Sequence, residues 1–120
     1  MAKFVYEGKT KEQFNKHQLI AMRNIKYAFN WIVGGYYNCI QDGYEEALPK
    51  SRKDLENEIY SSALDNLYGA GAEIFGRAPR EMRFAGETFC RAYINFKLDN
   101  DGDVKEIAEI AKWERSINHD

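Results

Sequence analysis

The apolar positions of this chain are densest between Gln13 and Ile40, where Met22, Ile25, Phe29, Ile32, Tyr36 and Cys39 follow one another at spacings of three and four residues. That repeat is one face of an α-helix. Tyr27, Trp31, Val33, Tyr37 and Ile40 fill positions outside the stripe, so from about Tyr27 onward large apolar groups lie nearly all round the helix. A helix of this kind needs more than one neighbour. Thr10-Lys11-Glu12-Gln13 reads as a capping box that starts it, and Asp42-Gly43 stops it. A straight helix from Lys11 to Gln41 would be roughly 45 Å long at about 1.5 Å per residue, whereas a compact domain of this size is about 35 Å across. Gly34-Gly35, in its middle, costs about 2 kcal/mol relative to two alanines if the helix runs straight through. Two resolutions are open: a bend or close crossing at the glycines, with Ala85-Gly86 as the opposite side, or coverage of the overhang by a second copy or another protein.

The remaining pattern predicts a short extended segment over Lys3 to Glu7, ending at Gly8. A second helix runs from Arg52 to about Tyr68, capped by Ser51 and carrying one stripe of Leu55, Ile59, Ala63, Leu64, Leu67 and Tyr68. Pro79 suits the first turn of a third, whose inward face is Met82, Ala85, Gly86, Phe89, Cys90, Tyr93 and Phe96, to about Leu98. Asp103 with Glu106 starts a fourth, carrying Val104, Ile107, Ile110, Trp113 and Ile117. The expected fold is all-α: one helical domain over residues 1–120, built around a long central first helix, with a short extended N-terminal segment.

Composition narrows the class without naming a chemistry. At 44% hydrophobic and 30% charged residues the chain is that of an ordinary globular protein and not of a disordered one. An aromatic share of 14% favours dense packing or an adhesive surface. Charged and amide residues Arg23, Asn24, Lys26 and Asn30 interrupt the most hydrophobic stretch, so no membrane span is expected, and the first residues carry too short an apolar run for a secretory signal. The expected location is the cytoplasm, with Cys39 and Cys90 as free buried thiols on helical faces.

Candidate chemistry fails in its details. Placing Gly102 of Asp99-Asn100-Asp101-Gly102-Asp103 at the invariant glycine of a calcium loop puts Lys97 and Ala108 where carboxylates are required. Gly69-Ala70-Gly71-Ala72-Glu73-Ile74 lacks the third glycine of a dinucleotide fingerprint. The two histidines, His17 and His119, have no metal-ligand spacing, and acid pairs such as Glu45-Glu46 and Glu56/Glu58 read as solvated faces. No catalytic residue, cofactor or metal is expected, and the protein is read as a non-enzyme.

Charge is the informative feature. Lysine and arginine against aspartate and glutamate give +4 for residues 1–35, −5 for 36–76, +3 for 77–97 and −4 for 98–120. Such alternation fits helices pairing within one monomer, or a basic patch of one copy meeting an acidic patch of the next. Arg77, Arg80 and Arg83 recur every three residues near the start of the third helix, with Arg91 two turns on; they could grip an anionic partner, although pairing with the acidic second helix is the favoured reading. The expected partner surface is Tyr27, Trp31, Tyr36 and Tyr37, with Arg77, Arg80 and Arg83 as its electrostatic contact.

The opening Met1-Ala2-Lys3-Phe4-Val5-Tyr6-Glu7-Gly8-Lys9, followed by a small acidic helical body, resembles the layout of small accessory proteins of tailed phages, in particular tail-assembly chaperones. The resemblance implies a protein of the infected cell's cytoplasm that shields a hydrophobic helical partner, the tape-measure protein, during tail building; with the charge alternation, the expected function is a protein-binding module that self-associates. The alternative is a nucleic-acid-associated or anti-defence accessory protein of a phage or mobile element.

Overall fold

A computed structural model describes residues 2–65 and 78–100. Its helices are α1 (Lys16–Gln41), α2 (Arg52–Asp65), α3 (Ala78–Ala85) and α4 (Glu87–Asn100), with single 3-10 turns at Lys11–Gln13 and Glu45–Ala47. The fold is all-α, and α1 packs against each of the other three helices around one core.

The N-terminal segment is a tight reversal. Tyr6 and Lys9 exchange both backbone hydrogen bonds at 2.9 Å, across Glu7 (φ 50) and Gly8 (φ 76). Two successive positive φ values make the turn that suits a two-residue hairpin, and glycine carries the second without strain. What the reversal positions is Phe4, whose ring meets those of Phe14, Phe89, Tyr93 and Phe96 at centroid distances of 5.8, 5.7, 5.0 and 5.4 Å.

Helix α1 starts five residues later than its sequence predicts. Gln13 does reach back to the Thr10 amide (3.0 Å), but that box holds one 3-10 turn only. Phe14 then takes an extended backbone (φ −76, ψ 149) and its ring is buried 5.3 Å from Phe89. Burying an aromatic ring is worth more than continuing a turn, and the chain restarts with a second box: the Gln18 amide donates to the Asn15 side chain (2.8 Å) and the Asn15 amide to the Gln18 side chain (2.9 Å). At the far end Gly43 (φ 83) closes a Schellman motif, in which the Tyr44 amide donates to the Cys39 carbonyl (2.8 Å) and the Gly43 amide to that of Ile40 (3.2 Å).

Between these ends the helix is uninterrupted through Gly34 and Gly35. Its 26 residues span about 39 Å at about 1.5 Å each, against a longest molecular axis of 40 Å. The close crossing against Ala85-Gly86 is not there: apart from the adjoining residues and backbone of α1 itself, no atom of a described residue lies within 4 Å of the position a Cβ would take on Gly34 or Gly35.

The third predicted helix is two. Gly86 has φ +94, a value closed to an α-helix, and its amide turns back to the carbonyls of Met82 and Arg83 at 3.1 and 3.2 Å. Its own carbonyl then receives the Cys90 amide (3.1 Å), which starts α4. The break lets Met82 on α3 and Phe89, Cys90, Tyr93, Ile94 and Leu98 on α4 all enter the core. Ser51 caps α2 as expected, accepting from the Asp54 amide at 3.1 Å, and Leu55, Ile59 and Ala63 are buried. The expected end of the second helix at Tyr68 and the helix expected from Asp103 lie outside the described residues.

Candidate protein interface

The seam between α2 and α4 settles part of the charge alternation. Glu56 is 5% exposed, not on a solvated face as its sequence context suggests. It accepts from Arg91, from Asn95 (2.9 Å) and from Lys53 (3.1 Å). Burial alone would raise its pKa, but the hydrogen bonds from Asn95, Arg91 and Lys53 outweigh burial and hold it below the ordinary value. Arg91 also donates to Glu87 (2.7 Å) and Asn57 (2.9 Å) and lies 4.6 Å from the centre of the Tyr60 ring. Beside it Arg52 pairs with Asp99 at 2.6 Å. For Arg91, pairing with the acidic second helix is what the structure shows.

Other arginines of the basic block differ. Arg80 and Arg83 are exposed on α3; of the nearby carboxylates, Glu87 pairs with Arg91, and Glu81, 5% exposed, meets Nδ1 of His17 on α1. Arg77 lies outside the described residues.

The four aromatic candidates on α1 divide as well. Tyr36 packs on the core edge and its hydroxyl donates to Glu58 of α2; burial first, and then this carboxylate, push its pKa well above the ordinary tyrosine value. It belongs to the α1–α2 seam. Tyr27 and Trp31 are 54% and 64% exposed, on the side of the helix opposite the core. One turn beyond Trp31 are Gly34 and Gly35, whose vacant Cβ positions no described residue approaches from outside the helix, and Tyr37 is half-buried at their edge. Trp31, Gly34, Gly35 and Tyr37, with Phe29, Asn30, Val33 and Asn38, line a shallow groove of about 610 Å³, and Tyr27 lies one turn before Trp31, outside that lining. A large ring, then a missing side chain, then amides is a surface that can seat a helix: small residues let a second backbone approach closely while the aromatic ring covers its flank.

A second groove, which the sequence does not reveal, lies where the N-terminal segment crosses α1 and α4. About 300 Å³ in volume, it has a floor of Phe4, Tyr93 and Phe96 and a rim of Lys3, Lys11 and Lys26. Glu12 is the acidic group at the rim; its own amide, the Thr10 hydroxyl (2.9 Å) and the two nearby lysines Lys3 and Lys11 hold its pKa below the ordinary value. The sequence carries one trace of this site, the +4 charge of residues 1–35, because its parts come from three separate segments.

Neither cysteine is in a disulfide; Cys90 is buried, which pushes its thiol pKa up to about 11, and Cys39 is half-buried. Among the described residues no three histidine, cysteine or acidic side chains come together as a metal site would require, and no helix is long and apolar enough to cross a membrane. Compared with protein-family models, with curated proteins and with solved structures, the chain matches none.

Proposed function

We propose that this protein is a non-enzymatic binding module that seats an apolar helix of another protein along the outer face of α1, as a tail-assembly chaperone would shield a tape-measure protein in the host cytoplasm. The observation that carries the reading is the pair Gly34-Gly35 in an uninterrupted helix. Each glycine costs about 1 kcal/mol relative to alanine in a helix interior, and no described residue uses the space the two leave. A partner backbone pressed into the groove uses it, with Trp31 and Tyr27 supplying rigid apolar contact area at low entropic cost. Arg80 and Arg83, exposed on α3, supply positive charge for an acidic flank of that partner.

The test is a holdase assay. A tape-measure fragment with an apolar helical stripe aggregates when diluted from denaturant, and light scattering follows it with and without this protein. Wild type is expected to suppress the scattering at near-stoichiometric ratios, and Tyr27→Ala/Trp31→Ala to suppress it poorly while keeping its helical circular dichroism. Equal suppression by both proteins would reject the outer face of α1 as the binding surface.

A further inference from the structure

We infer that copies of this chain associate head to tail, with Tyr44 of one copy entering the lysine-rimmed groove at the N-terminal segment of the next. Tyr44 is 60% exposed just past the C-terminus of α1. It is held there by backbone hydrogen bonds on both sides: its amide donates to Cys39 (2.8 Å), and its carbonyl accepts from Ala47 (3.1 Å). A ring presented on a fixed turn loses little freedom when it is captured. The sequence around it, Asp42-Gly43-Tyr44-Glu45-Glu46, places three carboxylates within five residues, and Asp42 and Glu46 are exposed.

The groove is complementary in each respect. Its volume of about 300 Å³ is at the lower end of sites that hold a small organic group, enough for a phenol ring and too small for a helix. Its floor is aromatic, which suits edge-to-face contact with that ring. At its rim, Lys3, Lys11 and Lys26 outnumber Glu12, and among the described residues none of the three lysines is held in a salt bridge. Tyr44 cannot fill its own groove, because Lys26 and Gln41 stand fifteen positions apart in one helix, roughly 22 Å along the axis. Because donor and acceptor surfaces differ, the contact is heterologous and propagates into an open chain or closes into a ring. With one anchoring side chain and exposed charges it is weak and sensitive to salt. It uses neither the outer face of α1 nor the arginines of α3, so either proposal can fail without the other.

Sedimentation velocity over a concentration series tests it, with the full chain at low and at high salt. Wild type is expected to gain weight-average mass with concentration at low salt and to lose that gain at high salt. Lys11→Glu/Lys26→Glu and Tyr44→Ala, all at exposed positions, are each expected to weaken association at least about tenfold, equivalent to about 1.4 kcal/mol, with unchanged circular dichroism. Mixed together, the two variants keep one intact groove and one intact tyrosine between them, so the mixture is expected to form a one-to-one dimer and nothing larger. A peptide of residues 41–47 is expected to compete with wild-type association. A monomeric wild type, variants that associate like wild type, or a mixture that stays monomeric or grows past a dimer would overturn the inference. A monomeric wild type that still binds the peptide would give the groove to an acidic segment of some other protein.

Discussion

The two sides of α1 use similar residues to opposite ends. On the inner side, large groups alternate with small ones, and each small one is filled from across the core: Ala21 and Ala28 are at most 1% exposed, beside Ile25 and Phe29. On the outer side the same alternation of aromatic and small residues recurs as Tyr27, Trp31, Gly34 and Gly35, but the rings are more than half exposed and no described atom enters the space beside the glycines. A small residue in a packed face is explained by its neighbour. A small residue whose space no described residue fills lowers helix stability without a packing return among the described residues, which is the ground for assigning that space to a partner.

The largest effect that separates the two sides is expected from Phe29→Ala. It removes a ring that is 1% exposed and should cost about 3–5 kcal/mol in a urea or guanidinium titration; a loss below 1 kcal/mol would mean that the inner face is not the packed one. Next is Glu56→Ala, which leaves part of the α2–α4 seam without its carboxylate and should cost about 3 kcal/mol at neutral pH. Because the folded-state pKa of Glu56 lies below the unfolded value, the stability it contributes is complete above the unfolded pKa and is lost as pH falls through the folded one. The gap between wild type and Glu56→Ala should therefore shrink below about pH 4, and a gap that widens on acidification would refute the arrangement.

Alanine at glycine positions sharpens the comparison further, because the sign should differ with location. Gly86→Ala forces φ +94 on a residue with a Cβ and should destabilise by about 1–2 kcal/mol. Gly34→Ala and Gly35→Ala meet no described atom and should each stabilise by about 1 kcal/mol. Thermal and denaturant midpoints check both signs, and destabilisation by Gly34→Ala would show that its space is already occupied within the chain.

Much of the fold is readable because local rules and packing agree. The stripe from Met22 to Ile32, the Ser51 cap and the Asp42-Gly43 stop need only helix periodicity and terminus chemistry. The sequence misleads where a distant contact decides between two local options. Thr10 and Asn15 both offer capping boxes, and the burial of Phe14 against Phe89 selects the second. Gly86 interrupts a helical stripe whose spacing continues across it, so nothing local marks the break. Glu56 looks like a surface acid because Arg91 and Asn95 are 35 and 39 residues away. Of the proposed surface, Tyr27 and Trp31 are visible as apolar positions off the stripe, whereas Tyr36 lies within the stripe and joins the seam with Glu58.

The central claim, that the outer face of α1 seats a partner helix, is tested most directly by setting stability against binding in one variant. In a Trp113→Phe background Trp31 is the sole indole, and its emission can be followed while an amphipathic helical peptide with an alanine- and glycine-containing apolar stripe is added. The expected result is a blue shift in the parent protein and at least about tenfold weaker binding by Gly34→Ala/Gly35→Ala, although that variant unfolds at higher denaturant. An unshifted emission, or equal binding by the more stable variant, would contradict the claim.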